Sequence, residues 1–230
     1  MATDADDPVS GRSASPPAGL WDRVVAGAYD RVLAGSERAG LAADRAALLA
    51  TASGRVVELG PGTGANLSHL PRGLASLMLV EPSPAMRARL RARLATLRAA
   101  DPEHLPPTEV VAAAGDALPL PDASVDTVVA TLVLCSVPDP AAVLAEVRRV
   151  LAPGGRLLLL EHVAAPGGRL RRLQRLLTPA WRRIAQGCHL DRDTRAALVA
   201  AGFDEAGVAD HRIPGAGPIG PALIGTARPR

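Results

Sequence analysis

The sequence predicts a doubly wound α/β domain with a mostly parallel, seven-stranded sheet and a C-terminal antiparallel hairpin. Three observations lead there. Short apolar runs alternate with helical patterns in the order β-α-β-α-β-β-α-β, with one crossover shortened between the third and fourth strands. The first run, Val56, Val57 and Leu59, feeds into Gly60, Gly62 and Gly64, a turn type that brings backbone close to a ligand. Glu58, Glu81, Asp116, Cys135 and His162 each fall at the C-terminal end of such a run, the rim where open parallel sheets bind ligands.

Composition narrows the chemistry. The chain has 230 residues, 48% of them apolar and only 2% aromatic, so the core is built of Ala, Val and Leu. All 26 basic residues are Arg, which excludes a lysine base or Schiff base. A net charge of +3 gives little reason to expect a polyanionic partner. No signal peptide or membrane-length apolar run is read. A cytoplasmic location follows as an expectation, with Cys135 and Cys188 as reduced thiols.

In chain order, residues 1–18 are rich in Asp, Ser, Pro, Gly and Ala and read as a disordered tail, leaving residues 19–230 as one domain. Residues 20–33 predict a helix with Leu20, Val24, Ala28 and Val32 on its buried face and Tyr29 beside them. It reads as an edge helix or as a lid over the ligand site. A second helix is expected over 39–52. Strand 55–59 and the glycine loop follow, then a helix from about Ala65. Strand 77–80 ends in Glu81-Pro82-Ser83, and Ser83 caps an Arg-rich helix with a solvated charged face. Strands are expected over 109–113, 125–134 and 156–160, with a helix over 140–151 and a stop at Gly154-Gly155. Residues 168–187 read as a basic amphipathic helix pair broken at Pro179, with Leu170, Leu173, Leu176 and Leu177 docked as a cap; the cap insertion spans 169–190. The alternative for 169–183 is an interfacial helix in peripheral contact with a membrane. A helix over 191–201 and strands near 204–212 and 222–227 complete the sheet.

The glycine spacing is E-x-G-x-G-x-G, with Glu58 inside the strand end. A pyrophosphate would want a helix dipole there and no acid. S-adenosylmethionine has no phosphate but carries an amino group and a sulfonium, which suit Glu58. Glu81 lies about 20 residues beyond the loop, where an acid bonds ribose hydroxyls. Asp116 is placed for the adenine amino group, with Ala117 and Leu118 against the ring. The cofactor set is therefore Glu58, Gly60, Pro61, Gly62, Thr63, Gly64, Glu81, Pro82, Asp116, Ala117, Leu118, Thr131 and Leu132.

These residues resemble motif I and its companions in the class I methyltransferases of the ubiquinone/menaquinone-methylase-like type: ELGPGTGAN, the acid at Glu81, GDALPLPDASVD and EVRRVLAPGG. TLVLCSV at 131–137, EHV at 161–163, PAW at 179–181 and GCHLDRDT at 187–194 are similar to the methyltransferase-like thiol S-methyltransferases. That resemblance implies methyl transfer from S-adenosylmethionine to a small apolar acceptor, a thiol. The family's N-terminal hydrophobic anchor finds no counterpart here, so membrane location is not carried over.

The residue types add their own reading. After the fourth strand, Leu132-Val133-Leu134-Cys135 offers no ring to stack a base, so no nucleic-acid substrate is expected. Cys135, Tyr29 and Trp181 are candidate acceptor contacts. A thiol is only a few per cent ionised at neutral pH and gains from a base. His162 is the first candidate base and His189 the second, and His162 reads equally as a core histidine bonded to a backbone carbonyl. Cys135, His162, Cys188 and His189 lack any C-x₂-C pair, so no metal site is expected. Two other readings stand: methylation of a lipid-like acceptor such as a demethylquinone or phosphatidylethanolamine, and a nicotinamide-dependent reductase or silent nucleotide-binding module, against which Glu58 speaks.

Overall fold

The computed structural model describes residues 19–230, with residues 20–22 as backbone only. The expected tail at 1–18 lies outside the described residues. Seven strands form one sheet: β1 (Arg55–Leu59), β2 (Ser76–Val80), β3 (Thr108–Val111), β4 (Val125–Thr131), β5 (Leu151–His162), β6 (Phe203–Arg212) and β7 (Pro221–Pro229). Their order is β3-β2-β1-β4-β5-β7-β6. The first five are parallel, and β7 runs antiparallel between β5 and β6. The order reverses between β1 and β4, the switch point where such sheets open a crevice.

Alternation along the strands splits the core into two layers. Val57, Leu59, Val128, Leu157 and Leu159 pack one face with Leu144, Val147 and Phe203. Val56, Leu77, Leu79, Val129, Leu158 and Leu160 pack the other with Leu41, Leu49 and Leu90. Both faces of β4 and β5 are covered, which is why residues 128–130 and 157–160 are continuously apolar. No helix joins β3 to β4, and a cleft of about 440 Å³ floored by Val57, Met78 and Leu120 stands there. It lies at the N-terminal strand ends, away from the glycine loop.

The helices are α1 (Leu20–Ser36), α2 (Ala42–Leu49), α3 (Pro84–Ala100), α4 (Pro140–Val150), α5 (Gly168–Ile184) and α6 (Thr194–Ala200). Ser83 caps α3 through Met86 N, and Asp139 caps α4 through Ala141 N and Ala142 N. Gly40, at φ 138°, kinks the junction between α1 and α2, so the expected 39–52 helix is shorter and turned.

Several expectations are corrected. On α1, Val24 and Val32 are exposed and Ala26 is buried, so the inward face is rotated from the one the leucine and valine spacing suggested. No α-helix follows the glycine loop; a single 3₁₀ turn, Leu67–His69, stands there. Pro71 forces Leu70 into an extended conformation (ψ 138°) and ends the turn. On α3, Arg87 is buried and donates to the carbonyls of Glu81 and Pro82, an exception to the solvated arginine face. β4 stops at Thr131 because Leu132 takes φ +57°. β5 begins at Leu151 rather than Arg156, pairing with Val125 across an irregular register. Pro179 lies inside a continuous α5. The docked face of α5 is polar: Gln174 and Thr178 are buried, whereas Leu173, Leu176 and Leu177 face outward. Gln174 accepts from Ala165 N and donates to the carbonyls of Val163 and Pro218, bonds that a leucine could not supply. α6 begins at Thr194, capped by Asp193, not at Asp191.

Candidate active site

The site is assembled at the C-terminal ends of β1, β2, β4 and β5. Beneath the glycine loop lies a buried polar network. Arg45 of α2 donates to Glu37 Oε1 (3.0 Å), Asn66 Oδ1 (2.8 Å) and Thr131 Oγ1 (3.2 Å). Asn66 donates in turn to Glu58 Oε1 (2.9 Å) and Thr131 Oγ1 (2.8 Å). Glu58 is 1% exposed, and its Oε2 has no partner among the described residues. Burial pushes its carboxyl up to about 7, against the opposing pull of Asn66 and Arg45. A buried, half-ionised carboxylate with an orphaned oxygen is a receptor for a cation.

Gly60, Gly62 and Gly64 all have positive φ. A Cβ on Gly60 would meet Val133 Cγ2 at 2.4 Å, whereas one on Gly62 would meet nothing within 4 Å. Gly60 is therefore needed for packing, and Gly62 opens onto free space. Glu81 accepts from Gly62 N (3.0 Å) and Ser83 N (2.8 Å). Each oxygen keeps a lone pair for a hydroxyl. Burial raises its pKa. Glu58 and Glu81 thus converge on the loop. Asp116 and Ala117 are exposed on the loop after β3. Leu118 is corrected: its side chain is buried in the core and its amide bonds Glu146 Oε2, so it cannot cover a ring. Thr131 serves the network below the loop rather than the surface above it.

α1 closes over this side. Thr63 Oγ1 donates to Asp30 Oδ1 (2.6 Å), and Asp30 pairs with Arg93 of α3 (2.7 Å). A cleft of about 300 Å³ between α1 and the loop is lined by Asp30, Leu33, Glu37, Ala65 and Arg93. Tyr29 faces the charges of Arg45, Cys135, Cys188 and Glu161, and burial pushes its phenol up to about 12. Its phenol is therefore neutral at ordinary pH.

The opposite wall is the loop after β4. Glu161, fully buried at the end of β5, accepts from Val133 N (2.9 Å), Leu134 N (2.8 Å) and Cys135 N (3.3 Å). Desolvation pushes its carboxyl up to about 7 despite these bonds. Beside it, Cys188 Sγ is 3.7 Å from Cys135 Sγ and 3.6 Å from His162 Nδ1. Cys135 holds its thiol proton more tightly through its bond to Cys188 and its burial, and the same bond together with His162 and Trp181 lowers Cys188. His162 is 4% exposed, and its Nε2 has no partner among the described residues. His189 is held by its backbone, donating to the Cys135 carbonyl at 2.8 Å.

The structure thus brings Cys135, His162 and Cys188 to one wall, with Trp181 beside Cys188, and Glu58, Gly62 and Glu81 to the other, while Tyr29 of α1 stands within electrostatic reach of Arg45, Cys135 and Cys188. Sequence reasoning gave no role to Arg45, Asn66 or Glu161. Asn66 had a signal in its place two residues after the last glycine of the motif. Arg45, on another helix, had none. The residues fit S-adenosylmethionine: Glu58 keeps a carboxylate oxygen, unpartnered among the described residues, that suits a positive group, Gly62 leaves room, and Glu81 stands ready for hydroxyls.

Comparison with known proteins agrees. A family described as "Methyltransferase domain" matches residues 57–159. Thiol S-methyltransferase TMT1B of Rattus norvegicus is 41% identical over 75% of this chain and 69% of its own length. The Homo sapiens TMT1B is 41% identical over 78% of this chain and 73% of its own. Among solved structures, a SAM-dependent methyltransferase from Thermotoga maritima has the same fold, with a TM-score of 0.65 and 21% identity over 91% of this chain and 98% of that one. On these grounds the chain belongs to the methyltransferase-like thiol S-methyltransferase family, and it is a class I methyltransferase whose cofactor is S-adenosylmethionine.

Proposed function

We propose that the enzyme S-methylates a small apolar thiol. The observation that carries this reading is the wall after β4. All three amides from Val133 to Cys135 are committed to Glu161, so this loop offers an acceptor only aliphatic side chains and sulfur and itself carries no ring to stack a base. The identity to thiol S-methyltransferases supports the same choice.

When bound, S-adenosylmethionine supplies an electrophilic methyl group on a cationic sulfur. Glu58 would offer its free oxygen to the positive methionyl part, and Glu81 would bond the sugar hydroxyls. Asp116, exposed on the loop after β3, would take the adenine side. Tyr29 and α1 exclude water from above, and Trp181 closes the side beside Cys188. The chain's main task is alignment, because in-line displacement needs the acceptor sulfur held within about 3–3.5 Å of the methyl carbon.

The test is product mass after incubation with S-adenosylmethionine and a panel of a short alkyl thiol, a quinol and a phospholipid. A methylated thiol is expected. Methylation of the quinol or phospholipid alone would refute the reading.

One observation favours a second reading, a lipid-like acceptor. Leu176 is 77% exposed, with Leu173, Leu177 and Ile184 also exposed on the Arg-rich α5, the make-up of a helix that rests on an anionic lipid surface. Among the described residues no helix is long and apolar enough to cross a membrane. Sedimentation with phosphatidylserine vesicles, and its loss on Leu176→Glu, tests that contact separately from the acceptor.

A further inference from the structure

We propose that Cys135, His162 and Cys188 form a three-ligand site for a thiophilic divalent cation, represented by zinc, whose fourth position is open to the acceptor's sulfur. The cation site stands on geometry alone; only the identity of the fourth ligand rests on the thiol reading above.

Zinc binds thiolate sulfur at about 2.3 Å and imidazole nitrogen at about 2.0–2.1 Å in a tetrahedron, which sets sulfur–sulfur edges near ~3.8 Å and sulfur–nitrogen edges near ~3.6 Å. Cys188 Sγ lies 3.7 Å from Cys135 Sγ and 3.6 Å from His162 Nδ1, so two edges already match. The three donor atoms lie within 4.8 Å of one another. Cys135 and His162 are buried. Two thiolates and a neutral imidazole balance a divalent cation, so the loaded site brings no net charge into a dry pocket.

The cluster is also held as a unit. Glu161 fixes the amide of Cys135, and Arg192 pins the same loop through the carbonyls of Leu134 and Val137. The Cys188 segment is drawn against this loop by the bond from His189 N to Cys135 O. Gly187 permits that approach: it has φ +84°, and a Cβ there would meet Ser136 O at 3.0 Å. The ligands come from three separate elements, so the short spacing of sequence motifs is absent even though the donors are adjacent. His189 stands outside the cluster. Three protein ligands and one open position are the mark of a catalytic rather than a structural zinc site.

In the reaction, the acceptor thiol coordinates the cation and its proton passes to solvent. A sulfur lone pair forms the new carbon–sulfur bond as the sulfonium's carbon–sulfur bond breaks, returning its electron pair to the departing sulfur. The neutral thioether product is a weaker ligand and leaves.

The test uses the full purified chain, stripped with a chelator and titrated with zinc and, separately, with cobalt(II). One metal per chain is expected, with thiolate-to-cobalt charge-transfer absorption that shifts on adding a short alkyl thiol. Cys135→Ser and Cys188→Ser should each weaken zinc binding by more than about 100-fold while circular dichroism stays unchanged. Zinc uptake no greater than that of the folded double variant would overturn the site. If the variants fail to fold, absence of the charge-transfer band in the wild-type chain does the same. Full S-methylation by metal-free enzyme would sink the cation's role and leave the thiol reading intact. Metal binding without any methylated thiol would sink the thiol reading and leave the cation site standing.

Discussion

Alanine at Gly60 and alanine at Gly62 should fail in different ways, because the two glycines have the same backbone and different surroundings. Both sit at left-handed φ, +55° and +58°, which costs an alanine about 1–2 kcal/mol. At Gly60 the added methyl also strikes Val133 Cγ2 at 2.4 Å, and overpacking adds about 1–3 kcal/mol. Gly60→Ala should therefore lose about 2–5 kcal/mol, a fall in Tm of about 4–20 °C for a domain of this size. Gly62→Ala meets nothing within 4 Å and should lose only about 1–2 kcal/mol, or about 2–8 °C. Its methyl instead projects into the space read as the cofactor's. If 1–3 kcal/mol of overpacking falls on the complex, affinity drops roughly 5- to 150-fold. Thermal melts and calorimetric titration with S-adenosylmethionine measure both. A Gly62→Ala protein that is folded and binds with wild-type affinity would refute the placement of the ligand over this loop.

Three further expectations follow from the same geometry. Glu58 titrates near 7 in the free protein, and the cationic ligand prefers its ionised form, so affinity should weaken by up to about tenfold per pH unit below that value; calorimetry across pH should show this slope, and Glu58→Gln should flatten it. Arg45→Met strands Asn66 and Thr131 in a buried network and should cost about 3–5 kcal/mol in urea unfolding; a loss below 1 kcal/mol would show the network to be dispensable. Asp126 is held at about 2 by the Arg55 side chain and amide, a depressed carboxylate whose stabilisation is present above about 3.8 and lost as pH falls through about 2; the pair is largely solvent-exposed, so Asp126→Asn should cost at most about 1 kcal/mol at pH 7 and remove part of the acid sensitivity.

The sheet was legible because its signals are local. β1 and β4 announce themselves by clustered valines and other apolar residues, and the glycine loop by three residues at fixed spacing. The nearness of Glu58 and Glu81 to the glycine loop was legible by the same means, since each is adjacent to its strand. What failed depended on partners far along the chain. The outward leucines of α5 look like a docking face until Gln174 is seen serving the backbone at Ala165, Val163 and Pro218. Leu118 looked like a ring contact because it follows Asp116 by two residues, and the core took it. Pro179 looked like a break, but a helix whose polar face is tied down elsewhere can lose one backbone bond. The nearness of Cys188 to His162 spans 26 residues and needs the return of the chain after α5.

The bond pattern of Glu161 has a consequence for how this scaffold could change. With the amides of Val133, Leu134 and Cys135 already engaged, the main chain there has nothing to offer an incoming molecule. Discrimination among acceptors is left to side-chain shape and softness, so point substitutions can redirect chemical taste without re-laying the path of the peptide.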